Sequence, residues 1–68
     1  MKNKKLLKRI ENYIKSREDM VYIYFSETIN DLRYEKYRYF FKFCNTNNVV
    51  QAFKTQKEIS EFLEERGF

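Results

Sequence analysis

The sequence predicts an α+β fold. It is read as a single small domain, residues 1–68, in the order α-β-β-β-α, a three-stranded antiparallel sheet with two helices on one face. Three observations predict it. Apolar residues recur at three- and four-residue spacing near both ends of the chain. Between them lies a run in which aromatic residues occupy every second position. The length, 68 residues, allows one core and no second one.

The first helix is expected over residues 3–17. Leu6, Leu7, Ile10, Tyr13 and Ile14 form one apolar stripe, and Lys4, Lys5, Lys8, Arg9, Asn12 and Lys15 take the remaining surface. Residues 20–25, Met-Val-Tyr-Ile-Tyr-Phe, read as the first strand, because β-branched and aromatic residues dominate a run too short for a helical period. Ser26-Glu27-Thr28 then extends the strand toward a turn at Asn30-Asp31. The competing reading is a short helix capped by Ser26, with Ile29, Leu32, Lys36 and Tyr37 at helical spacing. The strand-and-turn reading is preferred.

The clearest strand is expected over residues 36–44. Tyr37, Tyr39, Phe41 and Phe43 fall on one face, alternating with Lys36, Arg38, Phe40, Lys42 and Cys44. Asn45-Thr46-Asn47-Asn48 is turn chemistry, since Asn tolerates positive φ, and Val49 to Phe53 returns as the hairpin partner. The final helix, residues 55–66, carries signals at both ends. Thr55 and Glu58 make a capping box. Ile59, Phe62 and Leu63 form the apolar stripe. Gly67 sits where a left-handed residue is wanted, and Phe68 after it can fold back on Leu63. This stop signal predicts a protein complete in 68 residues.

A chain this short buries only about 60% of the surface it exposes when unfolded. Seven Phe and six Tyr, 19% of the residues, are expected to supply the missing apolar area; a homodimer is the other route. The one cysteine, Cys44, excludes an internal disulfide and reads as a small half-buried hydrophobe kept reduced in the cytoplasm. No apolar run is long enough for a bilayer, and the basic N-terminal stretch lacks the apolar core of a signal peptide, so no membrane attachment is expected.

Catalysis is poorly provided for. There is no histidine to serve as a base near neutral pH, no Cys/His cluster for zinc, and a single glycine, so no phosphate cradle of the glycine-rich kind. Glu61, Glu64 and Glu65 fall on an amphipathic helix and read as a solvated face. The sequence therefore predicts a non-enzymatic protein with no cofactor and no metal.

Binding is better provided for. If Val21, Ile23, Phe25, Tyr39, Phe41 and Phe43 face the helices, then Tyr22, Tyr24, Lys36, Arg38, Phe40 and Lys42 face away, with no third helix to cover them. Tyr22, Tyr24 and Phe40 would then lie open among cations, and an exposed aromatic cluster marks an interface. Tyr24, Arg38 and Phe40 are expected to be contiguous. The net charge of +4 is a property of the N-terminus: residues 1–17 carry +6, and residues 18–53 and 54–68 carry −1 each. Lys4, Lys5 and Lys8 are thus candidates for docking to an anionic partner. The same sheet face has a nucleic-acid reading, with aromatics stacking on bases and cations on phosphate. The run 36–43 resembles the aromatic strand motif of RNA-recognition domains, but lacks its glycine, and the chain lacks the β-α-β-β-α-β order.

High Lys, Asn, Ile, Tyr, Phe and Glu with little Gly, Ala and Pro resembles the composition of proteins from AT-rich genomes. Small, self-contained chains of this kind are similar to phage and mobile-element accessory proteins, a group that includes anti-CRISPR proteins. The likeness rests on size and composition, with no motif. It implies a stoichiometric inhibitor or adaptor of a nucleic-acid-handling protein or nucleoprotein complex. The alternative is a small DNA- or RNA-binding regulator, against which Glu58, Glu61, Glu64 and Glu65 would repel phosphate.

Overall fold

The computed structural model describes residues 1–43 and 48–68. Their order is α1 (Lys4–Lys15), a 3-10 turn (Glu18–Met20), β1 (Ile23–Ser26), a second 3-10 turn (Leu32–Tyr34), β2 (Tyr39–Phe43), β3 (Val49–Phe53) and α2 (Gln56–Glu64). The α-β-β-β-α fold is the one the sequence predicts, an open antiparallel sheet in the order β1-β2-β3. Cys44 and most of the Asn-rich turn expected over 45–48 lie outside the described residues.

Helix α1 starts where Asn3 accepts a hydrogen bond from the Leu6 amide at 3.1 Å, satisfying one of the first-turn donors. It ends where the Ser16 hydroxyl donates to the Tyr13 carbonyl at 2.6 Å. Its buried face is Leu6, Ile10 and Tyr13. The expected strand over 20–25 begins three residues later, at Ile23. The reason is Met20: a 3-10 turn, closed by its amide donating to the Arg17 carbonyl at 3.1 Å, drives its side chain into the core. Val21, expected to face the helices, is instead 73% exposed beyond that turn.

In the sheet, Ile23 pairs with Phe43, Tyr24 with Lys42, Phe25 with Phe41 and Ser26 with Phe40. On the other side of β2, Tyr39 pairs with Phe53 and Phe41 with Gln51, but Lys42 with Val49. Val50 is thus the extra residue of a bulge, which lifts the end of β3 out of strict alternation.

Helix α2 is capped as its sequence predicts. Thr55 Oγ1 accepts from the Glu58 amide at 3.2 Å. The Glu58 carboxylate reaches back to the Lys54 amide at 2.8 Å, one residue earlier than a capping box requires. At the other end the Phe68 amide donates to the Leu63 carbonyl at 2.8 Å and the Gly67 amide to the Glu64 carbonyl at 3.1 Å, with Gly67 at φ 81°. These are the two bonds of a Schellman motif.

The two helices run in the same direction on one face of the sheet. Asn3 Nδ2 donates to Gln56 Oε1 at 3.3 Å near their starts. Farther along, Arg9 Nη1 donates to Ser60 Oγ at 2.9 Å. Tyr13 then meets Phe62 edge-on at 5.5 Å. Leu6, Ile10, Tyr13, Met20, Phe41, Phe53, Ile59 and Leu63 form the core beneath. Phe62 ties it together, its ring 6.0 Å from Phe41 and 5.2 Å from Phe53.

The other face of the sheet corrects the sequence reading. Phe40, expected in the open, is 1% exposed. Residues 27–37 form neither an extended strand and turn nor a helix capped by Ser26. Asp31 caps a 3-10 turn, accepting from the Arg33 amide at 3.0 Å. A second turn follows, closed by the Tyr37 amide on the Tyr34 carbonyl at 3.0 Å. These turns lay Tyr34 over Phe40, 6.1 Å between centroids. They also delay β2, which begins at Tyr39 and not at residue 36. The missing cover for the outer face is therefore built from the connection itself.

Candidate functional site

Once Phe40 is buried, the residues read from sequence as one aromatic and basic face divide into separate groups. Lys36 belongs to the connecting turn and is exposed. Arg38 is exposed too, its amide donating to the Phe53 carbonyl at 3.0 Å. Lys42 is half-buried and its Nζ donates to the Thr28 carbonyl at 3.1 Å, so this cation braces the crossing segment. Tyr24, 53% exposed, stands opposite Lys42 in the register. Tyr24, Arg38 and Phe40 therefore offer no contiguous contact surface.

Tyr22 is brought to a different neighbour. It is 63% exposed and its ring meets that of Phe43, 45% exposed, edge-on at 6.2 Å. Val21 adjoins it in the chain. The result is an apolar patch at the end of the sheet where β1 begins and β2 ends; Tyr24, paired with Lys42, lies on the opposite sheet face from Phe43. Alternation fails for Val21 because it precedes β1, whereas Phe43, the last residue of β2 and paired with Ile23, stays half-open because it lies at the end of the sheet. The signal that corrects Val21 is the acidic pair Glu18-Asp19, which opens a turn just before the apolar run.

Hollows of different chemistry mark the surface formed by the described residues. Leu7, Ile10, Ile14 and Phe25 line an apolar one beside α1, rimmed by Glu11 and Lys15. Glu58, Glu61 and Glu65 line an acidic one beside β3. The third lies between the first halves of α1 and α2, with a volume of about 500 Å³, and is lined by Lys5, Arg9, Lys57, Asn3, Gln56 and Ser60. Of the candidate cations on α1, only Lys5 reaches it; Lys4 and Lys8 are exposed elsewhere on the helix. Arg9 and Lys57 were not singled out by the sequence, because their meeting depends on two helices that lie far apart in the chain.

The shifted titrations are local. Hydrogen bonding by the Arg33 guanidinium, seconded by the Arg33 amide, holds the Asp31 carboxyl below the usual carboxylate range. The Arg17 guanidinium does the same for Asp19 and is itself raised by that contact. Both pairs serve the two turns and neither lies in a cleft. Among the described residues, no group of three or more His, Cys, Asp or Glu side chains could hold a metal ion. No helix among them is long and apolar enough to cross a membrane.

Comparison with protein-family models, with curated proteins and with solved structures gave no match.

Proposed function

We propose that this chain acts by binding and not by catalysis, as a stoichiometric inhibitor or adaptor that seats the Val21–Tyr22–Phe43 patch on a nucleic-acid-handling protein in the cytoplasm. The observation that carries the reading is the Tyr22–Phe43 pair: two aromatic rings in contact with each other and about half open to water. Leaving such rings wet forgoes the burial that the rest of this aromatic-rich chain exploits, and contiguous exposed apolar surface marks interaction sites. Tyrosine is also among the residues that most often dominate binding energy. The direct DNA- or RNA-regulator reading has less support. Its stacking platform required Phe40 in the open, and Lys42 is engaged with Thr28.

The test is affinity capture from lysates of candidate bacterial hosts, with and without nuclease, using the wild type and Tyr22→Ala and Phe43→Ala variants. The expected result is one protein captured in a fixed ratio, retained after nuclease and lost with either variant. Loss on nuclease treatment would transfer the reading to the nucleic-acid regulator. Sedimentation of the pure protein supplies the other check. A dimer that Tyr22→Ala converts to monomer would make the patch a contact between copies.

A further inference from the structure

The groove between α1 and α2 lies at the opposite end of the molecule from the aromatic patch. The Met1 amino group pairs with Glu27, just past the end of β1, and α2 starts directly after the end of β3. Both helices therefore begin at the end of the sheet where β1 finishes, whereas Tyr22 and Phe43 sit where it starts. We propose that this groove is a phosphate site that takes the phosphodiester backbone of a nucleic acid.

Lys5, Arg9 and Lys57 line the groove, and among the described residues no Asp or Glu side chain does. Arg9 is held in place across it, Nη1 on Ser60 Oγ at 2.9 Å, Nη2 on the Ser60 carbonyl at 3.4 Å and Nε on the main-chain oxygen of Phe68 at 2.7 Å, which leaves one N–H on each Nη for a phosphate. Asn3 and Gln56, joined at 3.3 Å, close the end; Gln56 Nε2 also donates to the Tyr39 hydroxyl at 3.4 Å, so each amide nitrogen keeps one N–H for a phosphate oxygen. Lys57 meets a carboxylate at 4.0 Å, that of Glu61 one turn on, and its side chain is 86% exposed. Phosphate contacts of this kind come from Lys, Arg, Asn, Gln and Ser together, and they position a strand without reading its sequence.

The surroundings select the source of the phosphate. Among the described residues Leu6 alone is an apolar lining residue, and it is 4% exposed, so it could not enter a lipid layer. Among them no aromatic ring lines the groove to stack a base, which argues against a free nucleotide. Lys4 and Lys8 continue the positive charge along α1, whereas Glu58, Glu61 and Glu65 line the far flank of α2. A linear polyanion lying along α1 satisfies both. The site goes beyond the protein-binding reading and stands without it. Joined to that reading, on which this last step rests, it makes the partner a nucleoprotein, gripped through protein at one end and through phosphate at the other.

The experiment is fluorescence anisotropy of a labelled oligothymidylate titrated with the full chain at a series of salt concentrations. Three phosphate contacts to a single strand give a slope of log affinity against log salt of about −2, a loss of roughly twentyfold between about 50 and 200 mM. The double variant Lys5→Glu/Lys57→Glu should lose about tenfold or more in affinity and most of that slope. Lys15→Glu/Lys36→Glu changes the net charge equally, away from the groove, and should change affinity by less than about threefold. Circular dichroism confirms folding, with Lys5→Gln/Lys57→Gln as the milder pair. No binding at the lowest salt, or equal loss from both charge-reversed pairs, overturns the site. Tighter binding to phosphatidylglycerol vesicles than to the oligomer overturns the choice of nucleic acid. Tyr22→Ala should leave oligomer binding unchanged, so failure of the protein-binding reading is read separately in the capture experiment.

Discussion

The ring of Tyr34 stands edge-on to Phe40, 6.1 Å between centroids and 87° between planes, on the side of the sheet that the helices do not reach. Phe40 and its chain neighbour Phe41 are each 1% exposed, although they point to opposite faces of one strand. The central strand is thus covered on both sides, by two helices on one and by the residue 27–37 connection on the other. Phe40, which would otherwise be open on that face, becomes part of the folded interior, while Tyr24 on the same face stays 53% exposed.

Phe40 therefore belongs to stability and not to binding. Phe40→Ala should cost roughly 3–5 kcal/mol, the range for a buried phenylalanine. Tyr34→Ala should cost less, since Tyr34 is half-buried. The two should be coupled by about 0.5–1.5 kcal/mol in a double-mutant cycle, the worth of an edge-to-face pair beyond its area. Urea unfolding of the four proteins measures all three quantities. A Phe40→Ala midpoint equal to that of the wild type would show the outer cover to be open.

This is also where the sequence stops being legible. Helices α1 and α2 declare themselves through several turns of periodicity, and α2 through its caps, because those signals are short-range. The β2–β3 pairing declares itself through alternation. A 3-10 turn such as Leu32–Tyr34 is three residues long and has no period to detect. Two signals were nonetheless present. Consecutive Phe40 and Phe41 in a central strand mean burial on both faces, the pattern of a doubly covered sheet. Tyr34, Tyr37 and Phe40 repeat at intervals of three, the spacing at which 3-10 side chains eclipse. The groove cations were illegible for a different reason: Arg9 and Lys57 meet only after the whole fold has formed.

The ends of α2 give a graded series. Leu63→Ala, at a fully buried position, should cost roughly 2–5 kcal/mol. Thr55→Ala should cost about 1 kcal/mol through the lost cap. Gly67→Ala should cost about 1–2 kcal/mol, the penalty of a side chain in the left-handed region. Steric clash adds nothing there, because a Cβ on Gly67 meets no atom within 4 Å. Thermal unfolding of the three variants ranks them. If Thr55→Ala were the most damaging, the packing of α2 would be wrongly described.

Acid should loosen the outer cover. The Asp31 carboxylate is stabilised in the folded state by the Arg33 guanidinium and amide, which lower its pKa. A lowered folded pKa means stabilisation that is complete above the ordinary carboxylate value of about 4. It is lost as pH falls through the lower, folded value. Asp31 closes the turn that carries Tyr34, so the Tyr34 ring and the Phe40 amide should shift in NMR spectra together with the Asp31 carboxyl. High salt should weaken the effect, since the pair is at the surface. Titration of Asp31 at or above its ordinary value would remove the basis of this expectation.

Stability and binding should separate cleanly between Phe40 and Tyr22. Tyr22→Ala removes a ring that is 63% exposed, so the unfolding free energy should change by only about 0.5 kcal/mol. The affinity for a captured protein partner should nevertheless fall by roughly 2 kcal/mol, because a tyrosine at the middle of an apolar patch is the kind of residue that dominates an interface. Charge reversal at Lys4 or Lys8 should act mainly on the association rate and its salt dependence, since these side chains are solvated and distant from the patch. Phe40→Ala should show the reverse pattern, unfolding the protein while leaving the affinity of whatever fraction remains folded unchanged. Urea unfolding measures the stability side of the comparison, and calorimetric titration of the folded fraction measures the affinity side. If Tyr22→Ala destabilised the fold as much as Phe40→Ala, or left every partner contact intact, the patch would be part of the chain's own packing and the interface would have to lie elsewhere.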